Sequence, residues 1–302
     1  MEAADPALSA TGGPAAGSAG PPHGKGGGGA AALLAAPVAW LVIGYLGSLA
    51  LLLVAAFWNL GELSGEIEKT YNPANFTFDN FRTLIEEPVY RSVAGRTILI
   101  ASLVTIADAL LAFPIAFYMA KVAGPKAKAA LVVAVLMPLW SGYLVKVYAW
   151  RTILSEEGVL NWALDPIGLS GPGFGNVAVW LVMTYLWLPF MVIPIYAGLE
   201  RIPDSVIAAS EDLGAHPLTT FRRVILPLAF PAVVAGSIFT FSLTLGDFIA
   251  PTLVSSTQFI GTVVYGTITS NLPLAAAYAT VPIAVMIVYL TLARRLGAFE
   301  HL

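Results

Sequence analysis

Six long apolar stretches divide the chain, with polar segments between them. A helix that crosses the hydrocarbon core of a bilayer needs about 20 mostly apolar residues. The stretches are, in chain order, 33–58, 95–120, 129–150, 176–198, 228–250 and 275–293. The pattern predicts an all-α membrane protein with about six transmembrane helices, whose membrane domain covers residues 33–302.

Composition agrees with this pattern and separates a different N-terminal segment. Hydrophobic residues make up 58% of the 302 residues and charged residues 11%, and the mean hydropathy is +0.80. A soluble domain would carry roughly a quarter charged residues, so we expect a multi-pass membrane protein. Residues 1–32 are rich in Ala, Gly and Pro. They bury too little apolar surface to offset ordering entropy, which predicts a disordered tail, and they lack the pattern of a cleavable signal peptide.

Composition also excludes several classes of function. The net charge is −3 and no basic stripe is present, so we expect no nucleic-acid partner. The chain has no cysteine, which excludes a disulfide, a thiol nucleophile and a thiolate metal site. The three histidines, His23, His216 and His301, lie in separate segments, so neither a metal site nor catalytic residues are expected.

Basic residues in the connecting loops predict the orientation. Alternate loops carry Lys121, Lys126, Lys128, Arg201, Arg222, Arg223, Arg294 and Arg295. The loops between them, 151–175 and 251–274, hold a single base, Arg151. Positive charge marks the cytoplasmic side. Both termini and the loop 199–227 are therefore predicted to be cytoplasmic, and the segment 59–92 is predicted to be external.

The polar segment 199–227 has its own local pattern. Pro203 suits a first helical position, and Asp204 places negative charge at a helix N-terminus. Gly214 is a typical residue just after a helix end. Pro217 then starts a second short helix, and Pro227 marks entry to the next span. The sequence predicts two short helices joined by a glycine turn.

The spacing within this segment resembles a known loop. Gly214 follows Ala208-Ala209-Ser210 and precedes Val224-Ile225-Leu226-Pro227. This resembles the coupling loop of permease subunits of bacterial ABC importers, which reads Glu-Ala-Ala, three residues, Gly, nine residues, Ile, any residue, Leu-Pro. The chain departs from it at Ala208, where the family usually has Glu. Ser210 also replaces the second Ala, and Val224 replaces the Ile. Glu211, one turn further on, could replace the missing acid.

Other segments are similar to one branch of that family, the spermidine/putrescine permeases. The similar segments are 139–151 (LWSGYLVKVYAWR), 158–161 (GVLN) and 245–251 (LGDFIAP). The resemblance covers roughly residues 35–300. It implies the type I permease arrangement of ABC importers in the plasma membrane, with a cytoplasmic coupling loop at 199–227.

The resemblance also implies partners: a dimer of ATP-binding cassette ATPases, a second and different permease, and an extracytoplasmic substrate-binding protein. The residues that it assigns to ATPase coupling are Ala208, Ala209, Ser210, Glu211, Gly214, His216, Leu226 and Pro227. His216 has a second interpretation as an exposed helix cap, and Arg222 with Arg223 as ordinary cytoplasmic anchors. The chain lacks a phosphate-binding loop, because Gly24-Lys25 is followed by glycine. ATP is therefore expected on partner subunits, with no cofactor and no enzymatic activity in this chain.

Four residues are candidates for the substrate pathway: Asp108, Tyr143, Trp187 and Asp247. A carboxylate inside a bilayer is costly and usually faces a cavity or a partner, and aromatic rings attract ammonium groups. Each residue also has a structural interpretation. Asp108 could pair with Lys146 or Arg96, Asp247 could cap a helix, and the two aromatic rings could serve packing alone.

Three functions remain open from the sequence. The first is a permease subunit of an ATP-driven importer of polyamines such as spermidine and putrescine. The second is the same machine carrying another small solute, such as ferric iron, thiamine or a phosphonate. Acids and aromatic rings in the pathway indicate amines and basic residues indicate anions, and Lys146 near the pathway opposes a diamine unless it is paired. The third is a secondary transporter that works without ATP, although the chain shows no convincing internal repeat.

Overall fold

The computed structural model describes residues 27–60, 67–68 and 76–295, with side chains from residues 34–59 and 76–295. The chain forms two compact units, one ending at Ala50 and the other beginning at Leu51. From the first unit, α1 (Gly27–Trp40) continues through a π-helical segment, Leu41–Leu46, into α2 (Gly47–Ala55), whose residues from Leu51 onward belong to the second unit. Residues 27–32 of the predicted tail are thus helical, and its residues 1–26 lie outside the described part.

The second unit is a bundle of helices with one small hairpin. β1 (Asn59–Leu60) pairs antiparallel with β2 (Ile67–Glu68). The helices that follow are α3 (Asp79–Glu86), α4 (Pro88–Phe117), α5 (Pro125–Trp140), α6 (Tyr143–Leu154), α7 (Val159–Leu164), α8 (Asn176–Glu200), α9 (Asp204–Asp212), α10 (Pro217–Thr220), α11 (Leu226–Gly246), α12 (Ile249–Val254), α13 (Ile260–Thr267) and α14 (Leu272–Arg295). Short π-helical segments, Tyr118–Val122 and Phe221–Ile225, follow α4 and α10, and a 3-10 turn, Asp165–Ile167, follows α7.

Helices α4, α8 and α11 form the centre of the bundle. Their contacts use small residues, as is usual where apolar helices meet inside a membrane. A Cβ added to Gly198 would lie 2.3 Å from the Ala232 Cβ, and one added to Gly236 would lie 3.1 Å from the Met191 Cα. The backbones of α8 and α11 can therefore approach closely only because these positions are glycine.

The number of spans agrees with the sequence pattern. Within the described residues, five helices are long and apolar enough to cross a membrane, and a sixth crossing is possible if α5 and α6 count together. These are the crossings that the apolar stretches predict, with differences in the third and the fifth. The predicted span at 129–150 is a broken one, because α5 and α6 meet at an angle of 92°.

The break between α5 and α6 has a local cause. Pro138 lies inside the last turn of α5 and cannot donate a backbone hydrogen bond. Ser141 and Gly142 then adopt extended conformations, with ψ of 144° and 139°. Two consecutive extended residues end the helix, and Tyr143 begins a new one in another direction.

The fifth span also differs from the prediction. The second short helix of the 199–227 segment is not separate from it, since one continuous helix runs from Pro217 to Gly246. Pro227 lies at the start of α11, and the residue four positions before it, Arg223, lies in the π-helical segment, where the wider turn accommodates the missing N–H. The span ends at Gly246 and not at residue 250, because Asp247 is extended and caps α12.

Candidate functional site

The 199–227 loop turns at Gly214, whose φ is +78°. Its N–H donates to the Glu211 carbonyl at 2.8 Å, and the Ala215 N–H donates to the Ser210 carbonyl at 3.1 Å. No atom would lie within 4 Å of a Cβ added at this glycine. Glycine is therefore required by backbone conformation and not by lack of space.

His216 caps the helix after the turn. Its Nδ1 accepts a hydrogen bond from the Leu218 N–H at 3.4 Å, and its carbonyl accepts one from the Thr219 N–H at 2.7 Å. The side chain is exposed. His216 therefore caps this helix, as one of its two interpretations predicts. Because its side chain is exposed, the cap does not rule out a contact with a partner.

The two helices of the loop contact each other through polar side chains. The hydroxyl groups of Ser210 and Thr220 are 3.0 Å apart and share a hydrogen bond. Ser210 is half-buried and Thr220 is buried. Because Thr220 belongs to the continuous helix that starts at Pro217, α9 is tied directly to the fifth span.

One side of α9 is left uncovered. Ala208, Ala209 and Glu211 are exposed, and Leu213 at its end is 89% exposed. These side chains are therefore accessible from outside the chain. Glu211 forms no ion pair within the described residues.

Lysines from the preceding loop hold the start of the segment. The Lys121 Nζ donates to the Ile202 carbonyl at 2.6 Å and to the Asp204 Oδ1 at 2.7 Å. This hydrogen bond with Lys121 lowers the pKa of Asp204. Lys128 similarly pairs with Glu200 at 2.6 Å. The positive charges had marked the cytoplasmic side in the sequence, but these partners had no sequence signal because they lie 83 and 72 positions away.

Three of the four predicted pathway residues meet in one open pocket of about 370 Å³, which we call the Asp247 pocket. Its lining includes Tyr143 from α6, Trp187 from α8 and Asp247 after α11. The rings of Tyr143 and Trp187 are stacked, with centroids 6.0 Å apart. The turn between α5 and α6 brings Tyr143 to this place.

Asp247 is held by three donors. The Tyr143 hydroxyl donates to its Oδ2, and the backbone N–H groups of Ile249 and Ala250 donate to its Oδ1 at 2.8 and 3.3 Å. Capping of α12 is therefore present. A carboxylate offers about four acceptor positions, so three donors leave about one position of Asp247 unoccupied.

The pocket contains residues that the sequence had not singled out. Ser242, Leu243 and Gly246 come from the last turns of α11, and Phe248 follows Asp247. Phe248 stacks on Tyr265 of α13 with centroids 4.5 Å apart. Phe248 could have been predicted from the sequence because it is adjacent to Asp247. Ser242 could not, because the sequence does not show which face of α11 lines the pocket.

Asp108 lies apart from the pocket, inside the bundle. It is fully buried on α4, and neither carboxylate oxygen has a hydrogen-bond partner among the described residues. Val104 and Ala112, one turn before and after it, belong to two separate apolar clusters. The predicted alternative of pairing is not found where the structure describes the chain, since Lys146 forms no ion pair there and Arg96 donates to the Gln258 carbonyl.

Comparison with known proteins identifies the chain. The family model for binding-protein-dependent transport system inner membrane components matches residues 30–299. The chain belongs to this family. The predicted family resemblance and the all-α permease fold are thereby confirmed.

Relatives of the permease are similar over most of their length. It is 44% identical over 289 residues to the inner membrane ABC transporter permease protein YdcU of Escherichia coli K12, covering 89% of this chain and 90% of that protein. It is 32% identical over 195 residues to the spermidine/putrescine transport system permease protein PotB of the same strain, covering 63% and 70%.

Solved structures agree on the fold of the permease. A bacterial ABC transporter involved in the import of alginate matches with a TM-score of 0.67 and 20% identity, covering 87% of this chain and 94% of that one. The MetNI methionine ABC transporter in an inward-facing conformation matches with a TM-score of 0.54 and 17% identity, covering 69% and 94%. Members of the family are membrane subunits of transporters, and the family is not one of catalytic enzymes. Family membership and the apolar helices together indicate a multi-pass protein of the plasma membrane.

Proposed function

We propose that this permease subunit forms half of the translocation path of an ATP-driven importer of polyamines such as putrescine and spermidine. The observation that carries the proposal is the Asp247 pocket, where the carboxylate that follows α11 meets aromatic rings from α6 and α8. A relative named as a spermidine/putrescine permease supports the same solute class. The YdcU name specifies no solute.

The chemistry of the pocket suits an ammonium group. The remaining acceptor position of Asp247 gives such a group a charged hydrogen bond, and the ring faces of Trp187 and Tyr143 add cation–π attraction. Tyr143 holds the carboxylate in place through its hydroxyl. Asp108 is proposed as a second acidic position on the route, because a buried carboxyl group without a partner is costly unless another state supplies one.

We further propose that the loop 199–227 couples the pocket to a separate ATPase. Its contact surface is the uncovered side of α9 with Ala208, Ala209 and Glu211, followed by the turn at Gly214 and the cap at His216. Ser210 joins this surface to Thr220. Leu226 and Pro227 lie where the loop passes into the membrane-spanning helix without interruption.

The continuous helix Pro217–Gly246 gives this coupling a mechanical basis. It has 30 residues, a length of about 45 Å at 1.5 Å per residue. Its first turn contacts α9 through Thr220, and its last turns line the Asp247 pocket with Ser242 and Gly246. A displacement of the loop by an ATPase therefore moves the pocket wall as part of the same rigid element.

The proposed assembly follows from the family. The partners are an ATPase dimer that binds the ATP, a second permease of different sequence, and an extracytoplasmic substrate-binding protein. A fold relative, the alginate transporter, was solved in complex with a substrate-bound periplasmic protein. We place both termini and the coupling loop in the cytoplasm, in accordance with the basic loops, and assign no cofactor and no metal to this chain.

A second candidate is the same machine with an anionic solute such as a phosphonate. Two observations favour it. Lys146 lies one turn from Tyr143 on α6 and has no ion-pair partner among the described residues. The Trp187 Nε1 is buried and has no acceptor there, so it offers a donor that an ammonium group cannot use.

The test is ATP-dependent uptake of labelled putrescine and spermidine into proteoliposomes that contain this chain with its partner permease, ATPase and binding protein. We expect saturable uptake that stops without ATP and falls sharply in Asp247→Asn. The matched control is Asp165→Asn, an exposed aspartate outside the pocket. ATP hydrolysis stimulated by the binding protein without amine uptake would retain the permease and reject the polyamine. Uptake without any ATPase would support a secondary transporter.

A further inference from the structure

An apolar groove runs between α4 and α11 at the end of the bundle nearest the coupling loop. It has a volume of about 520 Å³. Its walls include Leu110, Phe113 and Phe117 from α4, and Phe221 and Leu226 from the helix that enters α11. Phe113 and Phe221 meet edge to face with centroids 5.5 Å apart. We call this the α4–α11 groove.

The groove is open on its outer side. Leu110 is 70% exposed and Leu226 is 39% exposed. All of its walls are apolar, so water does not stabilise it and an apolar occupant does. In a bilayer that occupant is either a hydrocarbon chain or another protein, and the charges at the end of the groove distinguish between them.

Arg222 and Arg223 lie at the loop end of the groove. They follow Phe221 directly and precede Leu226 in the π-helical segment. Arg222 precedes Leu226 by four residues, close to one turn, so the two side chains are neighbours along the helix surface. Both arginines are exposed, and neither forms an ion pair within the described residues.

We propose that the α4–α11 groove binds an anionic phospholipid, with an acyl chain in the groove and the phosphate on Arg222. An arginine fork matches a phosphate group in geometry and charge. Basic residues at the cytoplasmic end of a span attract the anionic lipids of that leaflet. The proposal rests on the proposed orientation, in which the coupling loop is cytoplasmic.

The site has a consequence for coupling. The lipid occupies both walls, and one wall is the continuous helix that joins the coupling loop to the Asp247 pocket. A phosphate on Arg222 and an acyl chain against Leu226 contact this helix on both sides of the point where the π-helical segment meets α11. Anionic lipid therefore stabilises the link between the ATPase contact and the transport pocket.

The test measures lipid retention by the purified full-length chain with native mass spectrometry, using phosphatidylglycerol and phosphatidylcholine as probes. We expect phosphatidylglycerol to be retained in preference to phosphatidylcholine. Arg222→Ala should weaken phosphatidylglycerol retention about fivefold, as expected for one basic residue near a membrane surface, with little change for phosphatidylcholine. Leu110→Trp, which narrows the groove from its exposed edge, should weaken retention of both lipids.

The matched control is Arg294→Ala, an exposed arginine at the end of α14 that does not line the groove. Equal retention of the two lipids by the unaltered chain, or equal losses in Arg222→Ala and Arg294→Ala, would overturn the proposal. So would cross-linking of Leu110→Cys to the partner permease in native membranes, which is a clean test because the chain has no cysteine. Retention does not require transport, so failure here and failure of polyamine uptake are separate results.

Discussion

The Lys121 ammonium lies 2.7 Å from the Asp204 Oδ1 and 2.6 Å from the Ile202 carbonyl oxygen. This single side chain joins the end of the second span to the start of α9. A lysine that binds both a backbone carbonyl and a carboxylate fixes the position of the loop more firmly than an exposed ion pair, whose contribution is usually small. The contact therefore sets where the uncovered side of α9 is presented.

The first prediction concerns this lysine. Lys121→Met keeps the length and apolar stem of the side chain but removes both hydrogen bonds, so the start of α9 is released. We expect ATP-coupled uptake to fall severalfold while membrane insertion is unchanged. Lys126→Met is the control, because Lys126 is exposed and forms no ion pair within the described residues. Equal uptake by the two variants would show that the contact does not position the loop.

The same contact predicts a pH dependence. Lys121 lowers the pKa of Asp204, so the ion pair is fully formed above the ordinary carboxyl pKa. It is lost only as the pH falls through the lowered value. ATPase association measured against pH should therefore be constant through the neutral range, and a decrease in acid should shift to higher pH in Lys121→Met.

The second prediction concerns the turn at Gly214. Its φ of +78° is unfavourable for any residue with a Cβ, by about 1–2 kcal/mol, and more for a β-branched one. Gly214→Val should reduce ATP-coupled uptake by about tenfold and leave membrane insertion intact. Gly124→Val is the control, because Gly124 is extended, with φ of −67°, and has equal space. Normal uptake by Gly214→Val would remove the turn from the mechanism.

The third prediction separates two roles in the Asp247 pocket. Asp247→Asn removes the charge and should raise the KM for putrescine roughly tenfold, the usual effect of losing a charged hydrogen bond. Tyr143→Phe keeps the ring stack on Trp187 but loses the hydroxyl, and should raise KM by about threefold. Tyr148→Phe, on the same helix with an exposed side chain, is the control. If Tyr143→Phe and Tyr148→Phe are alike, the hydroxyl does not orient the carboxylate.

Much of the fold could be predicted from the sequence, because long apolar stretches have one stable form in a bilayer. The exceptions have physical causes. Pro138 and the Ser141-Gly142 pair share an apolar stretch with residues that favour a straight helix, so hydropathy alone could not show the 92° bend. Pro227 suggested a helix boundary, but the helix continues through it because the preceding π-helical turn accommodates the missing N–H group.

The part of the site that could not be predicted from the sequence depends on contacts between residues that are far apart along the chain. Tyr143, Trp187 and Asp247 were candidates by residue type, yet their meeting depends on the bend before Tyr143 and on the end of α11 at Gly246. The partners of Lys121 and Lys128 lie far along the chain and have no periodic signal. Asp108 was a candidate too, but its isolation from both Lys146 and Arg96 is visible only in three dimensions.

The fourth prediction concerns Asp108. Its two carboxylate oxygens are buried without hydrogen-bond partners in the described residues, a condition that costs about 1–3 kcal/mol or more for a charged group. Asp108→Leu replaces both oxygens with methyl groups on the same branched skeleton, so the thermal stability of the purified chain should increase, by roughly 1 kcal/mol or more in free energy of unfolding. If the carboxylate serves transport, uptake of putrescine should fall in the same variant.

The combination of the two readouts distinguishes a functional carboxylate from a structural one. A more stable variant with less uptake is the expected result, because the native carboxyl group then lowers the stability of the chain at a position that the substrate uses. A less stable Asp108→Leu variant would contradict the prediction, because it would show that the carboxyl group stabilises the folded chain. A more stable variant with unchanged uptake would remove Asp108 from the route, leaving the Asp247 pocket as the anionic position. Asp165→Leu, at an exposed aspartate, should alter neither measurement.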